Sequence, residues 1–279
     1  MNKIGVVITL RRDTDFAAKI REAKEMGITS CQLSVWDTSL YTEERASELR
    51  TAALAEDFEI SALWAGWSGP CEWNFSYGPT TIGLVPAAYR SARLAELLRG
   101  SEFAAWLGVR DIITHVGFLP SDPTDQSYVG TVGVLRHLMK NIRPRGQRFL
   151  FETGQETPVT LLRAIEDIGG DDVGINLDTA NLILYGMGNP NDALEVFGKY
   201  VMNTHIKDGL YPTDGRRLGR EVKAGEGRAN IPSVLARLAE LGYEGPYTIE
   251  REISGEEQKR DIISTVAYLR EISENIAKK

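Results

Sequence analysis

Residues 148–178, RFLFETGQETPVTLLRAIEDIGGDDVGINLD, decide the fold. Arg148–Glu152 is a short apolar run closed by a carboxylate, which reads as a buried strand with a polar tip. Pro158 stands where a helix starts, and a helical pattern runs over 158–168. Gly169 follows it, where a left-handed cap is expected. Val173–Asp178 is a second buried strand, again ending on a carboxylate. Strand, helix and strand in one short unit imply parallel pairing with a helical crossover.

The same alternation extends in both directions. Further strands are expected at Ile4–Leu10, Ser30–Val35, Ile60–Trp64, Asp111–Val116, Val201–Lys207 and Tyr247–Glu250. Helices are expected at about Asp15–Met26, Thr42–Asp57, Pro86–Leu107, Asp125–Ile142, Asn191–Gly198, Ile231–Leu241 and Glu256–Ile276. Gly27, Gly108 and Gly242 sit at helix ends, and residues 242–246 read as the turn into the last strand. Eight strands alternating with eight helices fit a closed barrel or a doubly wound sheet. The count favours the barrel, and no GxGxxG follows the first strand as a dinucleotide-binding sheet would require. The expectation is an α/β fold, a (β/α)8 TIM barrel, spanning 1–279 as a single domain. A chain of 279 residues is normal for that fold.

Composition narrows the partners. The net charge is −7, which repels phosphate backbones and anionic lipid, so neither nucleic acid nor membrane is expected as a partner. No apolar stretch approaches a membrane span, and the apolar run at 4–10 is followed by Arg11, Arg12 and Asp13, so it reads as a strand and not as a signal peptide. Two cysteines, Cys31 and Cys71, without a CxxC pair read as reduced thiols in a cytoplasmic protein.

The chemistry sits at strand ends. Glu152, Asp178, His205 and Glu250 fall at the ends of strands five to eight, which are neighbours in a barrel. Taken singly, each has a plainer reading as a solvated carboxylate, a helix cap or a core histidine. Together they would place three carboxylates on one point, a repulsion that a divalent cation removes. Three anionic oxygens and one imidazole suit Mn²⁺ first, with Mg²⁺ or Co²⁺ close behind; Zn²⁺ more often takes nitrogen or sulfur. Asn176, Asn203 and Thr248 precede three of the ligands by two residues and share their inward face, as orienting groups or as barrel filling. His115 ends the fourth strand beside the site and could bind a substrate oxygen, whereas His137 lies in a helical pattern.

Long connections follow two strands. Residues 66–85 carry Trp67, Trp73, Phe75 and Tyr77 and suggest a lid or an oligomer contact, so a homodimer is allowed. Trp36 and Trp64, at the ends of strands two and three, form either an apolar wall against the C–H face of a sugar ring or a plug. Residues 209–230 hold a basic cluster that reads as solvated surface, from which Arg217 could reach an anionic substrate.

Five ordered pieces carry a family resemblance: Phe151-Glu-Thr-Gly-Gln-Glu-Thr-Pro158, Asn176-Leu-Asp-Thr-Ala-Asn181, Thr204-His-Ile-Lys-Asp208, Gly225-Glu-Gly227 and Tyr247-Thr-Ile-Glu-Arg-Glu252. The set resembles the xylose isomerase-like barrel superfamily of sugar phosphate isomerases and epimerases, over nearly the whole chain. The resemblance implies that Glu152, Asp178, His205 and Glu250 are the metal ligands. It also implies that Glu152 and Glu250 double as acid/base partners on opposite faces of a sugar or polyol substrate. The implied reaction is isomerisation or epimerisation by proton abstraction α to a carbonyl, through a metal-bound enediolate. Gln155, Asn181 and Lys207 fall inside the motifs and are expected to touch substrate. One departure stands out: many relatives carry a histidine where this chain has Asn181, and an amide holds a hydroxyl but shuttles no proton near neutral pH. The superfamily also contains the multi-zinc DNA-repair hydrolase endonuclease IV, against which three histidines and the negative charge argue. The same groups would serve a lyase acting on a keto-inositol or a 3-keto-glycoside, and a binding protein on a catalytically dead barrel is the third reading.

Overall fold

A strand buried on both faces needs apolar or paired residues throughout, and the predicted runs meet that demand. The computed structural model describes residues 2–278. Its barrel is built from β1 (Ile4–Leu10), β2 (Ser30–Val35), β3 (Glu59–Ala65), β4 (Asp111–Thr114), β5 (Arg148–Glu152), β6 (Val173–Asp178), β7 (Val201–Ile206) and β10 (Tyr247–Ile249). All pair in parallel in that order, and β10 closes the ring onto β1. The long helices are α1 (Phe16–Glu25), α2 (Glu43–Ala55), α4 (Ala87–Leu107), α5 (Gln126–Ile142), α6 (Pro158–Ile168), α8 (Pro190–Phe197), α9 (Ile231–Glu240) and α10 (Glu256–Ala277). Two short helices, α3 (Gly78–Thr81) and α7 (Asn181–Leu184), lie in connections after β3 and β6.

Local chemistry starts and stops these elements. The side chains of Asp15, Thr42, Asp125, Thr157 and Asn189 each accept a backbone N–H from the first turn of their helices. Gly27, Gly108 and Gly242 take positive φ at helix ends, as expected. Gly169 differs: its φ is +76° but its ψ is an extended 156°. The Gly169–Gly170 turn wraps Arg143, which donates to the Gly169 carbonyl and to the Asp172 carboxylate, and this redirects the chain.

Three barrel strands stop short of the predicted ends. β4 ends at Thr114 because the Val116 carbonyl accepts from Leu84 and Val85 instead of from a neighbouring strand. β7 and β10 end at Ile206 and Ile249, which leaves Lys207 and Glu250 just beyond the ladder. A small antiparallel hairpin not expected from the sequence, β8 (Asp208–Leu210) with β9 (Arg220–Val222), lies at the 209–230 connection. Asp208 anchors it: its carboxylate accepts the N–H groups of Gly209, Gly225, Gly227 and Ala229. A Cβ on Gly227 would lie 2.1 Å from Asp208 Oδ1, which explains the small residue there.

The main core fills the space between barrel and helices. A smaller cluster of Ala62, Trp64, Trp67, Ile82, Ile113 and Leu150 packs the top of the barrel beneath the 66–85 connection. No helix among the described residues is long and apolar enough to cross a membrane. Cys31 and Cys71 are free thiols, and burial pushes Cys71 up to about 11.

Candidate active site

A single register shift makes the site. Ile175 of β6 is level with Val201 of β7, but the next residue, Asn176, is level with Asn203. A slip of one residue turns a strand's side chains to the other face. With the bulge, Asp178 comes level with His205, and both point inward. Glu152 at the tip of β5 and Glu250 just after β10 complete the ring. One ligand atom from each of Glu152, Asp178, His205 and Glu250 lies within 4.8 Å of all the others.

The donor set fits a divalent cation. Asp178 Oδ1 accepts from the N–H groups of Ala180 and Asn181, so the carboxylate caps α7 as well. Its Oδ2 is buried, points to the centre and has no hydrogen-bond partner among the described residues. Burial pushes Asp178 well above the usual carboxylate range despite Lys207 nearby. A buried, unpartnered oxygen facing two more carboxylates is what a bound ion would satisfy. His205 Nδ1 is 3.0 Å from Glu152 Oε1 and 3.3 Å from Glu250 Oε2. Burial disfavours charge on His205, but the two glutamates outweigh it and hold its pKa well above the ordinary value. Burial likewise opposes ionisation of Glu250, and Lys207 and His205 reverse it, holding Glu250 well below the usual range. Burial opposes ionisation of Glu152 too, but His205, which bonds it, holds its pKa below the usual range.

Gln32 of β2 orients this centre, and the sequence reading did not single it out. Its Oε1 lies 2.6 Å from His205 Nε2, and its Nε2 donates to Asn176 Oδ1 and Asn203 Oδ1, both at 2.9 Å. An acceptor at Nε2 fixes the imidazole tautomer, leaving the Nδ1 lone pair for the centre. The inward-facing Asn176 and Asn203 therefore act on the ligands through Gln32, while Thr248 Oγ1 has no partner among the described residues. Gln32→Leu is expected to weaken metal affinity by about 10–100-fold, measured by competition with a chromophoric chelator. An unchanged affinity would remove Gln32 from the site.

A cavity of about 460 Å³ opens above the centre. Glu152 and Glu250 reach its wall, with Asp178 and His205 behind them. His115 lines it too; its Nε2 is 3.6 Å from Glu152 Oε1 and its Nδ1 is unpartnered. Burial lowers the His115 pKa, so the ring is neutral near pH 7. Asn181 lies between the charged groups, its Nδ2 3.4 Å from Glu152 Oε1 and its Oδ1 3.4 Å from Lys207 Nζ. Lys207 is fully buried and faces Glu252 at 2.9 Å, Glu250 at 3.1 Å and Asp178 at 3.7 Å. It neutralises carboxylates and does not line the cavity. Trp64 donates its Nε1 to Glu152 Oε2, so it is a positioning group as well as a wall. Trp36 packs beside it, tilted by 37°, with a centroid separation of 4.8 Å.

Other expected substrate contacts lie elsewhere. Arg217 projects into solvent from the 209–230 connection, 87% exposed and 3.8 Å from Asp214, outside the cavity lining. The loop carries it outward because Gly219 and the hairpin below are tied down to Leu184 and Asp208. His137 is exposed on α5. Arg93 of α4 ties both ends of the 66–85 connection, donating to the carbonyls of Ser68, Pro70, Thr81 and Gly83. Gln155 is buried beside the site but off the cavity wall, and both its amide atoms lack partners among the described residues.

Glu156, next to Gln155, escaped the sequence reading. Its carboxyl is buried and one oxygen is unpartnered, and burial pushes its pKa up to about 8. The unfolded chain gives up this proton near pH 4.5, the folded chain near 8. Its contribution to stability is therefore complete below about pH 4.5 and lost as pH rises towards 8. Glu156→Gln is expected to raise the Tm at pH 8 and leave it unchanged at pH 4. Equal shifts at both pH values would refute this account.

The fold and site define an α/β barrel with a metal-type ligand cluster at the C-terminal ends of its strands. Residues 20–272 match the family described as the xylose isomerase-like TIM barrel, and the chain belongs to that family. A crystal structure of a xylose isomerase domain protein from Planctomyces limnophilus is 34% identical, covers 100% of this chain and 99% of that one, and superposes with a TM-score of 0.92. A D-tagatose 3-epimerase-like protein is 20% identical over 99% of this chain and 98% of its own, with a TM-score of 0.75, a likeness of fold. An uncharacterized protein of Methanocaldococcus jannaschii is 30% identical over 127 residues, a match spanning 44% of this chain and only 40% of that relative.

Proposed function

We propose that this protein is a divalent-metal-dependent isomerase or epimerase of a sugar or keto-polyol, working by proton abstraction α to a carbonyl. One observation carries the reading: of the four converging ligand residues, the two glutamates alone reach the cavity wall. Residues that only held an ion could all sit behind the wall; two that face substrate can also move protons. An ion held by Glu152, Asp178, His205 and Glu250, with Mn²⁺ the best fit and Mg²⁺, Co²⁺ or Zn²⁺ as alternatives, would supply Lewis acidity that acidifies the α C–H.

The protein's own groups do the rest. Glu152 and Glu250 are held ionised, the form a general base needs. The ionised one takes the α-proton; the other, after taking up a proton from water, delivers it to the resulting enediolate, and the first then releases its proton to water, so the proton count balances. Neutral His115 offers a nitrogen to a substrate oxygen from the cavity wall, and Asn181 holds a hydroxyl without exchanging protons. The Trp64 indole fixes the Glu152 carboxylate and excludes water from its flank. The test is NMR in D₂O with the metal-loaded protein and a panel of ketoses, inososes and 3-keto-sugars. Deuterium at a carbon next to the carbonyl is expected, with an epimer or isomer as product. No exchange with any member would sink the reading, and an eliminated product would assign a lyase instead.

A further inference from the structure

The cavity's charge and shape say what kind of molecule enters it. Among the described residues, no arginine or lysine lines the cavity, whereas three glutamates do: Glu152, Glu250 and Glu252. Lys207 is the cation nearest the centre, and it faces three carboxylates of its own. Arg217, the side chain expected to reach an anionic substrate, points to solvent. A phosphate ester would meet no free cation and no spare donor fork, and its charge would face carboxylates.

The wall beside Glu152 offers apolar surface instead. Trp36, Trp64 and Trp73 line it, with buried Trp67 packed against the first two. They run outward from the reacting carboxylates: Trp64 bonds Glu152 and is buried, Trp36 lies 4.8 Å from Trp64, and Trp73 lies 6.2 Å from Trp36. Trp36 and Trp73 remain 36% and 41% exposed at the mouth. The negative face of an indole attracts the C–H face of a sugar ring, and large rings left bare beside a cavity mark a binding surface. A cavity of about 460 Å³ exceeds what one hexose fills and falls in the range that encloses a drug-sized ligand.

We propose that the substrate is an uncharged keto-sugar carrying a second ring, as in a glycoside, and not a sugar phosphate. The reacting ring lies at Glu152 and Glu250, and the second ring stacks on Trp36 and Trp73. The proposal rests on the reading that the carboxylate end is the reacting end, but its test reads binding alone.

The test titrates metal-loaded protein with D-fructose, D-fructose 6-phosphate, isomaltulose and phenyl 3-keto-β-D-glucoside, following tryptophan fluorescence and heat. At least one two-ring compound is expected to bind about tenfold or more tighter than fructose, the scale of an added hydrophobic contact. Fructose 6-phosphate is expected to bind no tighter than fructose. In Trp36→Ala and Trp73→Ala, made separately at partly exposed positions, the ratio of two-ring to fructose affinity should fall towards one. Tightest binding of the phosphate, or a ratio untouched by both substitutions, overturns the proposal. Absence of deuterium exchange with Trp-dependent two-ring binding intact would instead overturn the enolisation reading.

Discussion

Glu152→Gln is expected to lower turnover by about 10²–10⁴-fold at saturating metal, the loss that follows removal of a positioned acid–base group. The amide keeps the shape of the carboxylate, and its oxygen can still accept from Trp64, so the fold should hold. What it loses is the ability to take or give a proton at the cavity wall. Glu250→Gln should be similarly slow, yet the two variants should fail differently. If one glutamate serves each face of the substrate, each variant can still remove and return a proton on the face that keeps its carboxylate. Each should then wash α-deuterium out of one epimer without inverting it. NMR of both epimers with both variants reads this directly. Full activity in Glu152→Gln, or exchange on the same face in both variants, would refute the division of labour.

The barrel and the convergence of Glu152, Asp178, His205 and Glu250 were legible because their signals are local. A carboxylate or imidazole that ends an apolar run is visible in a few residues, and strand order turns those ends into neighbours. Gln32 was hidden because its meaning is not local. Inside Ser30–Val35 it looks like a polar lapse in a buried strand, and its partners Asn176, Asn203 and His205 lie 144 to 173 residues away. The β6 bulge was equally invisible, since hydrophobic alternation gives side-chain faces but not the register between strands. Glu156 sits just before the helix start at Pro158, where an acid reads as a surface charge favoured by the helix dipole. The length and aromatic content of the 66–85 connection were legible, but its tie to α4 was not: Arg93 arrives from the next helix and donates to four of its carbonyls. Arg217 failed for a related reason: the hairpin anchored by Asp208 fixes the base of its loop and leaves the tip in solvent.

Removing the metal should uncouple stability from activity in a way that isolates Asp178. Chelation of the wild-type protein is expected to abolish exchange and lower the Tm. Adding Mn²⁺ back to 100 times its Kd should restore about 2.7 kcal/mol of stability by mass action. In the metal-free chain Asp178 is a liability, because its Oδ2 is buried without a partner and its pKa is pushed well up by burial. Asp178→Asn keeps an oxygen for the Ala180 and Asn181 N–H groups and turns an amide donor towards the glutamates. The metal-free variant should therefore be at least as stable as the metal-free wild type near pH 7. With Mn²⁺ present the order should reverse, since the variant has lost an anionic ligand and its Tm should respond little to the ion. Differential scanning calorimetry of the four samples decides it. A wild-type Tm indifferent to chelation, or a variant that gains as much from Mn²⁺ as the wild type, would show that the cluster does not hold the ion.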